Sequence, residues 1–344
     1  EISACLVGSE MCIRDRYITK EGYNNSSTHM MSADTVMIAL TGATAGKVGY
    51  LKFEACGNQS ITGILPCESL NQRYLFFYLL SQREKILADC VGGAQAHISQ
   101  SYVKNMTIPI LAIKEQEQIV GELTKVSNIV SLRQEEIQQL DNLVKARFVE
   151  MFGDCTNMIS LSELCLIITD GTHQSPKFQH DGIPFILVSN LSKNTVTYDT
   201  DKFISAETYK ELYKRTPIEI GDILLSTVGS YGHPAVVVED RKFLFQRHIA
   251  YLKPKSDILN SYYMHGALLS PGCQRQIEEK VKGIAQKTLN LSEIRKIRIP
   301  VPSLDLQKQY ADFVHQVNKS KVAVQKALDE TQILFDSLMQ KYFG

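Results

Sequence analysis

Apolar residues along this chain follow two different periods. Over about 115–150 they recur at alternating spacings of three and four, through Ile119, Leu123, Val126, Val130, Ile137, Leu140, Val144 and Met151. Arg133 and Arg147 occupy two further positions of that seam. The same register returns over about 306–342 with Tyr310, Val314, Val317, Val324, Leu328, Phe335, Leu338 and Tyr342, interrupted by Lys321 and Thr331. This spacing predicts two long helices with matching apolar seams. Each follows a Pro-containing strand end, Ile108-Pro109 or Ile299-Pro300-Val301-Pro302. At about 1.5 Å rise per residue each helix spans on the order of 54 Å. That exceeds a domain of about 100 residues, whose radius of gyration is near 13 Å. The two seams are therefore expected to pack on each other as an antiparallel coiled coil. Elsewhere the apolar runs have strand length: Thr35–Leu40, Ile61–Leu65, Phe185–Val188, Ile223–Leu225, Ala235–Val238 and Ile249–Leu252. Gly, Pro, Asn and Asp punctuate them. Tyr74–Ala88 and Ser261–Val281 have helical patterning.

The two helices belong to a larger repeat. Residues 94–153 align with 285–344 without a gap: Ala94-Gln95 falls on Ala285-Gln286, Ser101 on Ser292, Ile108-Pro109 on Ile299-Pro300, Gln116 on Gln307, and Phe152-Gly153 on Phe343-Gly344. Upstream, Asn71-Gln-Arg-Tyr74 matches Asn260-Ser-Tyr-Tyr263, Asp34-Thr-Val-Met-Ile38 matches Asp222-Ile-Leu-Leu-Ser226, and Tyr17-Ile18 matches Phe203-Ile204. Duplication of one module, a β-rich domain followed by a long helix, explains this order. It predicts a pseudo-twofold arrangement. The stretch 154–202 precedes the match in the second copy and has no counterpart in the first, so the first copy is read as lacking its front third. Residues 1–16, EISACLVGSEMCIRDR, match nothing later in the chain and lack the apolar core of a signal peptide. They read as assembly read-through and are set outside the fold.

Composition narrows the function. With 37 basic and 37 acidic side chains the formal charge is zero, so any nucleic-acid contact must come from local patches. Hydrophobic residues make up 44%, without the roughly 20-residue apolar run a membrane helix needs. The eight cysteines contain no C-x-x-C pair and no His/Cys cluster of zinc spacing. They read as reduced thiols of a cytoplasmic protein, mostly core filler.

Catalytic motifs are missing. Thr41-Gly-Ala-Thr-Ala-Gly46-Lys47-Val48 imitates a phosphate loop but has three residues between its glycines and Val48 after the Lys. It is expected to be a strand followed by a tight glycine turn. G-x-S-x-G, H-E-x-x-H and G-x-G-x-x-G are absent, as is the [ND]-P-P-[YF] motif of amino-methyltransferases. Asp170, His173 and Ser175 lie close in sequence without a nucleophile elbow to make them a triad.

The second copy reads Ile168-Thr-Asp-Gly-Thr-His173, Gly182-Ile-Pro-Phe-Ile186, Val188-Ser-Asn190, Ile220-Gly-Asp-Ile-Leu224, then Gln286, Leu291-Ser292, Ile297-Arg-Ile-Pro300-Val-Pro302 and a Gln-rich helix start. In this order the motifs resemble the target-recognition domain and spacer of type I restriction–modification specificity subunits, over about 17–344. The resemblance implies an α+β fold: two β-rich target-recognition domains, the first truncated, joined by the two long helices. The boundaries are 17–112 for the first domain, 113–153 for the central spacer helix, 154–303 for the second domain and 304–344 for the C-terminal helix. It also implies a non-catalytic subunit that reads a bipartite double-stranded DNA target, one domain per half-site, and docks methyltransferase and restriction subunits. S-adenosylmethionine, ATP and magnesium would belong to those partners, and this chain would hold no cofactor, metal or membrane anchor.

Base edges in the major groove are read by Arg, Asn, Gln and Lys, and phosphates by Lys, Arg, Ser, Thr and backbone N–H groups. The loop candidates in the second copy are Thr172, His173, Lys177, Asn190, Lys193, Ser230, Tyr231, His233, Arg247 and His248. In the first copy they are Thr44, Lys47, Asn58, Gln59 and Ser60. Each is also compatible with a turn-forming or solvated role. A coiled-coil scaffold without DNA affinity is the competing function, and a hydrolase or nuclease a more remote one.

Overall fold

The computed structural model describes residues 2–4, 16–89, 97–283 and 287–344. The chain divides into two units, Glu1–Glu135 with Gln325–Gly344, and Glu136–Val324. The first unit contains β1 (Ile2–Ala4), β2 (Arg16–Ile18), α1 (Lys20–Asn24), β3 (Met30–Met31), β4 (Val36–Ala39), β5 (Val48–Tyr50), β6 (Ala55–Cys56) and β7 (Ile61–Ile64). Then come α2 (Gln72–Ser81), α3 (Arg83–Ala88), α4 (Gln100–Lys104) and the start of the long helix α5 (Ile113–Phe152).

β4 is the middle strand of an antiparallel sheet of order β5-β4-β7, and all four of its residues are buried. Alternate side chains point to opposite faces of a strand. Val36 and Ile38 accordingly pack with Tyr74, Phe77 and Leu123, whereas Met37 and Ala39 pack with Leu51, Ala55 and Ile61. The run was a strand rather than a helix because both faces are covered within four residues.

The second unit repeats this plan and extends it. Its elements are β8 (Met158–Ser160), α6 (Leu161–Leu164), β9 (Cys165–Asp170), β10 (Ile183–Ile186), β11 (Phe203–Ile204), α7 (Ala206–Tyr213), β12 (Ile223–Ser226), β13 (Pro234–Val236), β14 (Leu244–Phe245) and β15 (Ile249–Pro254). They continue with α8 (Ser261–Leu269), α9 (Pro271–Lys280), α10 (Leu291–Ile294), β16 (Arg298–Pro300) and the long helix α11 (Leu304–Phe343). β12 is the counterpart of β4: Ile223 and Leu225 enter the core with Tyr263 and Tyr310, and Leu224 enters a second core with Ala235, Phe245 and Tyr251. The sheet order is β13-β12-β15-β9, one strand more than in the first unit. Among the described residues β7 pairs with β4 alone, so the edge that β9 fills in the second unit is open in the first.

A second small sheet is also shared. β10 runs antiparallel to β11 and parallel to β14. In the first unit β1 takes that position, antiparallel to β2 and parallel to β6. Ile2–Ala4, set outside the fold on sequence grounds, thus lies in a sheet. Strand pairing uses main-chain N–H and C=O groups that every non-proline residue carries, which is why no pattern in those three residues announced it.

α5 and α11 are each 40 residues long, about 60 Å at 1.5 Å per residue. Within each unit their segments run antiparallel. In the second unit Phe148 and Tyr310 meet edge to face, with ring centroids 5.4 Å apart, and Lys321 Nζ lies 2.5 Å from Asp141 Oδ1. In the first unit Arg133 donates to the Ala327 carbonyl and Thr331 Oγ1, so two polar interruptions of the seams meet each other. Phe148, outside the heptad reading, is buried because the aromatic cluster of Phe152, Tyr263 and Tyr310 closes over it.

One expected helix is two. The stretch Ser261–Val281 breaks at Ser270, which caps α9 by accepting from Cys273 N, with Pro271 at the first helical position. Proline has no N–H to continue α8. The stretch Tyr74–Ala88 likewise divides at Gln82.

Each unit closes the start of its long helix with the same polar clasp. Asn71 N donates to Gln116 Oε1 at 2.8 Å, and Gln116 Nε2 donates to the Leu111 carbonyl at 2.8 Å. Asn260 N donates to Gln307 Oε1 at 2.9 Å, and Gln307 Nε2 to the Pro302 carbonyl at 3.0 Å. Asn71 and Asn260 cap α2 and α8. The Tyr74 and Tyr263 hydroxyls reach the Pro109 and Pro300 carbonyls. These bonds explain why Asn, Tyr, Ile-Pro and Gln recur in both copies.

Candidate nucleic-acid interface

Strand register gathers loops that are far apart in sequence. In the second unit Ser226 pairs with Ile249, Leu225 with Pro234, and Ala250 with Asp170. The end of β12, the starts of β13 and β15 and the end of β9 therefore share one end of the sheet. The loops leaving there carry Thr172, His173, Ser230, Tyr231, His233, Arg247 and His248. In the first unit Ile38 pairs with Val48 and Ala39 with Ile61. The corresponding loops carry Thr44, Lys47, Asn58, Gln59 and Ser60.

Asp170 organises the second unit's cluster. Its carboxylate receives Arg215 Nη2 at 2.6 Å and His173 Nε2 at 3.0 Å. The acid thus holds an arginine from the turn after α7 as well as the imidazole. Next to it, a Cβ on Gly171 would fall under 3 Å from the carbonyl oxygens of Phe245 and Gln246. Only glycine lets these two backbones approach. Thr172 N then donates to the Phe245 carbonyl, and Arg247 N to the Thr172 carbonyl, both at 3.0 Å. The loops are thus tied together by backbone, which leaves the His173 and Arg247 side chains exposed.

Arg247 and His248 line a cleft of about 430 Å³ with Asp170, Thr227, Thr288 and Asn290. Burial, and secondarily the Arg247 charge, hold the His248 imidazole below its usual range, so it is neutral near pH 7. Tyr231 donates to Glu278, which also pairs with Lys287 at 2.8 Å. His233 Nδ1 lies 3.0 Å from Asn194 Oδ1, bringing the exposed Lys193 beside the 227–233 loop. Lys177 and Ser230 are exposed.

Asn190 is not presented. It is buried; its Oδ1 accepts from Leu187 N at 2.9 Å, and its Nδ2 donates to Thr197 Oγ1 at 3.3 Å and to the Asp199 carbonyl at 2.8 Å. Its amide is fully used in holding the 187–199 turn, so it leaves the candidate set.

In the first unit the glycine turn is as expected. Gly42 and Gly46 both have φ of 74°, and Gly46 N donates back to the Ala39 carbonyl at 2.9 Å. The turn closes on its own strand and forms no phosphate cradle. Thr44, Asn58 and Gln59 are exposed, and Lys47 and Ser60 half-buried. Asn58 Oδ1 accepts from Ser60 N at 3.0 Å, so this side chain builds its own turn.

Arg215, Lys287, Thr288 and Asn290 were not singled out from sequence. Arg215 lies in the turn after α7, 45 residues along the chain from Asp170, and only the tertiary fold brings the two together. The 287–291 segment reaches the cluster through a bridge between Val228 and Thr288. The repeat held a signal for it, since Leu289 N donates to the Thr227 carbonyl as Ile98 N does to that of Leu40. Among the described residues no cluster of His, Cys, Asp and Glu could hold a metal, and no helix is long and apolar enough to cross a membrane. Cys165 and Cys273 are buried, and burial pushes both thiols up to about 12, which makes them inert.

The family profile described as the type I restriction modification DNA specificity domain matches residues 11–142 and 156–331. The type I restriction enzyme EcoBI specificity subunit of Escherichia coli is 26% identical over 309 residues, 86% of this chain and 63% of its own length. The chain thus spans less than two thirds of that relative. The type I restriction enzyme MjaVIII specificity subunit of Methanocaldococcus jannaschii is 18% identical over 346 residues, 92% of this chain and 81% of its own. Among solved structures, the type I restriction–modification S subunit from M. genitalium shares the fold with a TM-score of 0.54 at 18% identity, covering 91% of this chain and 84% of that one.

Proposed function

The chain belongs to the type I restriction modification DNA specificity family, and from that premise we propose that it reads double-stranded DNA through the loop clusters of its two units and carries no catalytic chemistry itself. The observation that supports this most is the convergence of loops at one end of the sheet in each unit, where exposed His173, Ser230 and Arg247 stand in the second unit and exposed Thr44, Asn58 and Gln59 in the first. Arg247 has the strongest claim to a base contact. An arginine presents a planar fork that fits guanine O6 and N7, a pair that discriminates by about 1–3 kcal/mol.

In this reading each unit reads one half of a bipartite target, and the two long helices act as the spacer, packed as a coiled coil that sets the half-site separation. Half-sites on one face of DNA lie about one helical turn apart. Methyltransferase subunits would dock on the chain and supply the S-adenosylmethionine chemistry, and restriction subunits would supply ATP- and magnesium-dependent cleavage. Among the described residues the second unit carries the fuller set of loops, with Asp170–His173 and the β9 edge.

Titration of duplex DNA binding against salt tests this. A recognition protein binds with an affinity that falls steeply as salt rises, because phosphate contacts release counterions. Absence of binding at every salt concentration would leave a coiled-coil scaffold without DNA affinity as the function.

A further inference from the structure

A second feature of the recognition unit lies outside the loop cluster. Arg295, Lys296 and Arg298 line a pocket of about 550 Å³ with Ser160, Ser162 and Ser292. Two of the cations are held in place from behind: Arg295 Nη2 donates to the Ile168 carbonyl at 2.6 Å, and an Arg298 nitrogen donates to the Met158 carbonyl. A guanidinium has five N–H donors, so each arginine keeps donors for a ligand while its direction is fixed. Lys296 is exposed, with a surface partner in Glu293 at 3.0 Å. Glu163 also stands near Arg298 and is held by Ser160.

The pocket adjoins the cleft. α10 packs along β9, the outer strand of the sheet. Arg295 sits at Ile168, two residues from Asp170, about 7 Å along a strand. That is about two base-pair steps of roughly 3.4 Å along the axis of a DNA duplex. The chain as a whole is neutral, yet from residue 280 to 298 it carries Lys280, Lys282, Lys287, Arg295, Lys296 and Arg298 against the single acid Glu293.

The duplication supplies an internal control. Where the second copy has Ser292, Ile294, Arg295, Lys296 and Arg298, the first has Ser101, Val103, Lys104, Asn105 and Thr107. The serine and the core residue are kept, and Val103 and Ile294 are both buried. Two of the three charges are not kept. The carbonyl that Arg298 holds, Met158, lies in the stretch without a counterpart in the first copy, whereas Lys296 is exposed with only the surface partner Glu293, so the comparison leaves Lys296 free to serve a ligand.

We propose that Arg295, Lys296 and Arg298, with the serine hydroxyls around them, form a seat for the DNA phosphate backbone that orients the duplex against the neighbouring loop cluster. The inference rests on the DNA-reading function above and adds residues for it. Phosphate contacts position a protein without carrying sequence information.

Binding of a target duplex and a scrambled duplex, each measured across salt with the full chain, tests the seat. The variant Lys296→Asn/Arg298→Thr writes the first copy's residues into the second. It is expected to weaken both duplexes equally and to lower the slope of log K against log salt by about 1–2, since each phosphate contact contributes about 0.9. Lys296→Asn alone, at an exposed position that no core contact needs, is expected to lower it by about 1. A wild-type slope in both variants overturns the seat and leaves the DNA-reading function standing. A wild-type chain that binds no duplex overturns that function, and the seat with it.

Discussion

Gln116 and Gln307 are fully buried side chains that hold backbone groups from a strand end and a helix start together. Truncation of either would leave a buried N–H and buried carbonyls unpaired, each at about 1–3 kcal/mol. Gln307→Ala is expected to cost about 2–4 kcal/mol, read as a drop in the urea midpoint of unfolding; a change within error would mean that water satisfies those groups. His265 is the other residue with a measurable signature. Its Nε2–H faces the carbonyls of Asn194 and Pro234 at 3.1 Å. Burial above all holds this imidazole below its usual value, against the bonds to the Asn194 and Pro234 carbonyls, with Lys321 adding and Asp141 opposing. The unfolded chain takes up that proton near pH 6.5, the folded chain only at lower pH, so acidification through about 6.5 favours unfolding. His265→Gln keeps a donor and removes the titration. Its Tm should fall less than that of wild type between about pH 7.5 and 5.5, and an equal fall in both would contradict the assignment. At this scale the sequence displayed the repeated Asn, Tyr and Gln but not their purpose. Their bonds join positions some 45 residues apart, which no periodicity reports. Asn190 was misread for the same reason: its partners are visible only once the turn is folded.

Elements were the most legible level. The alternation of three and four placed both long helices, and the polar residues that break their seams turned out to be paired, Arg133 with Thr331 and Lys321 with Asp141. The β-runs at Thr35–Leu40, Ile223–Leu225 and Ile249–Leu252 lie within or across β4, β12 and β15. What was hidden is how elements approach. Gly171 in the Asp-Gly-Thr-His turn is needed because β9 ends against the backbone at 245–246, a contact between segments separated by most of a domain. Gly171→Ala is expected to push the 171–173 and 246–248 loops apart, costing about 1–3 kcal/mol and at least tenfold in DNA affinity. A variant with wild-type affinity would show that the junction of these loops is not the reading surface. Gly266 is a parallel case in packing alone: a Cβ there would lie under 3 Å from the Tyr310 ring. Gly266→Ala should lower Tm by overpacking while leaving the loop cluster in place.

For the whole molecule, neutral charge excluded binding by bulk electrostatics and directed attention to local patches. The loop clusters and the run of cations at 280–298 are such patches. Fold class and duplication were readable from the chain because they are repeated patterns. The location of the loop cluster proposed to read DNA was not, because it is set by strand register and by the 287–291 segment crossing to Val228. The proposed function stands or falls on whether the second unit specifies one part of a DNA target. The direct measurement is to co-express the chain with its methyltransferase subunit in a host without adenine methylation and to map modified bases by sequencing. Residues 154–303 are then exchanged for those of a relative, and the map is repeated. The expected result is a methylated motif in two parts, of which the exchange rewrites one and leaves the other. No methylated motif, or a motif unchanged by the exchange, would contradict it.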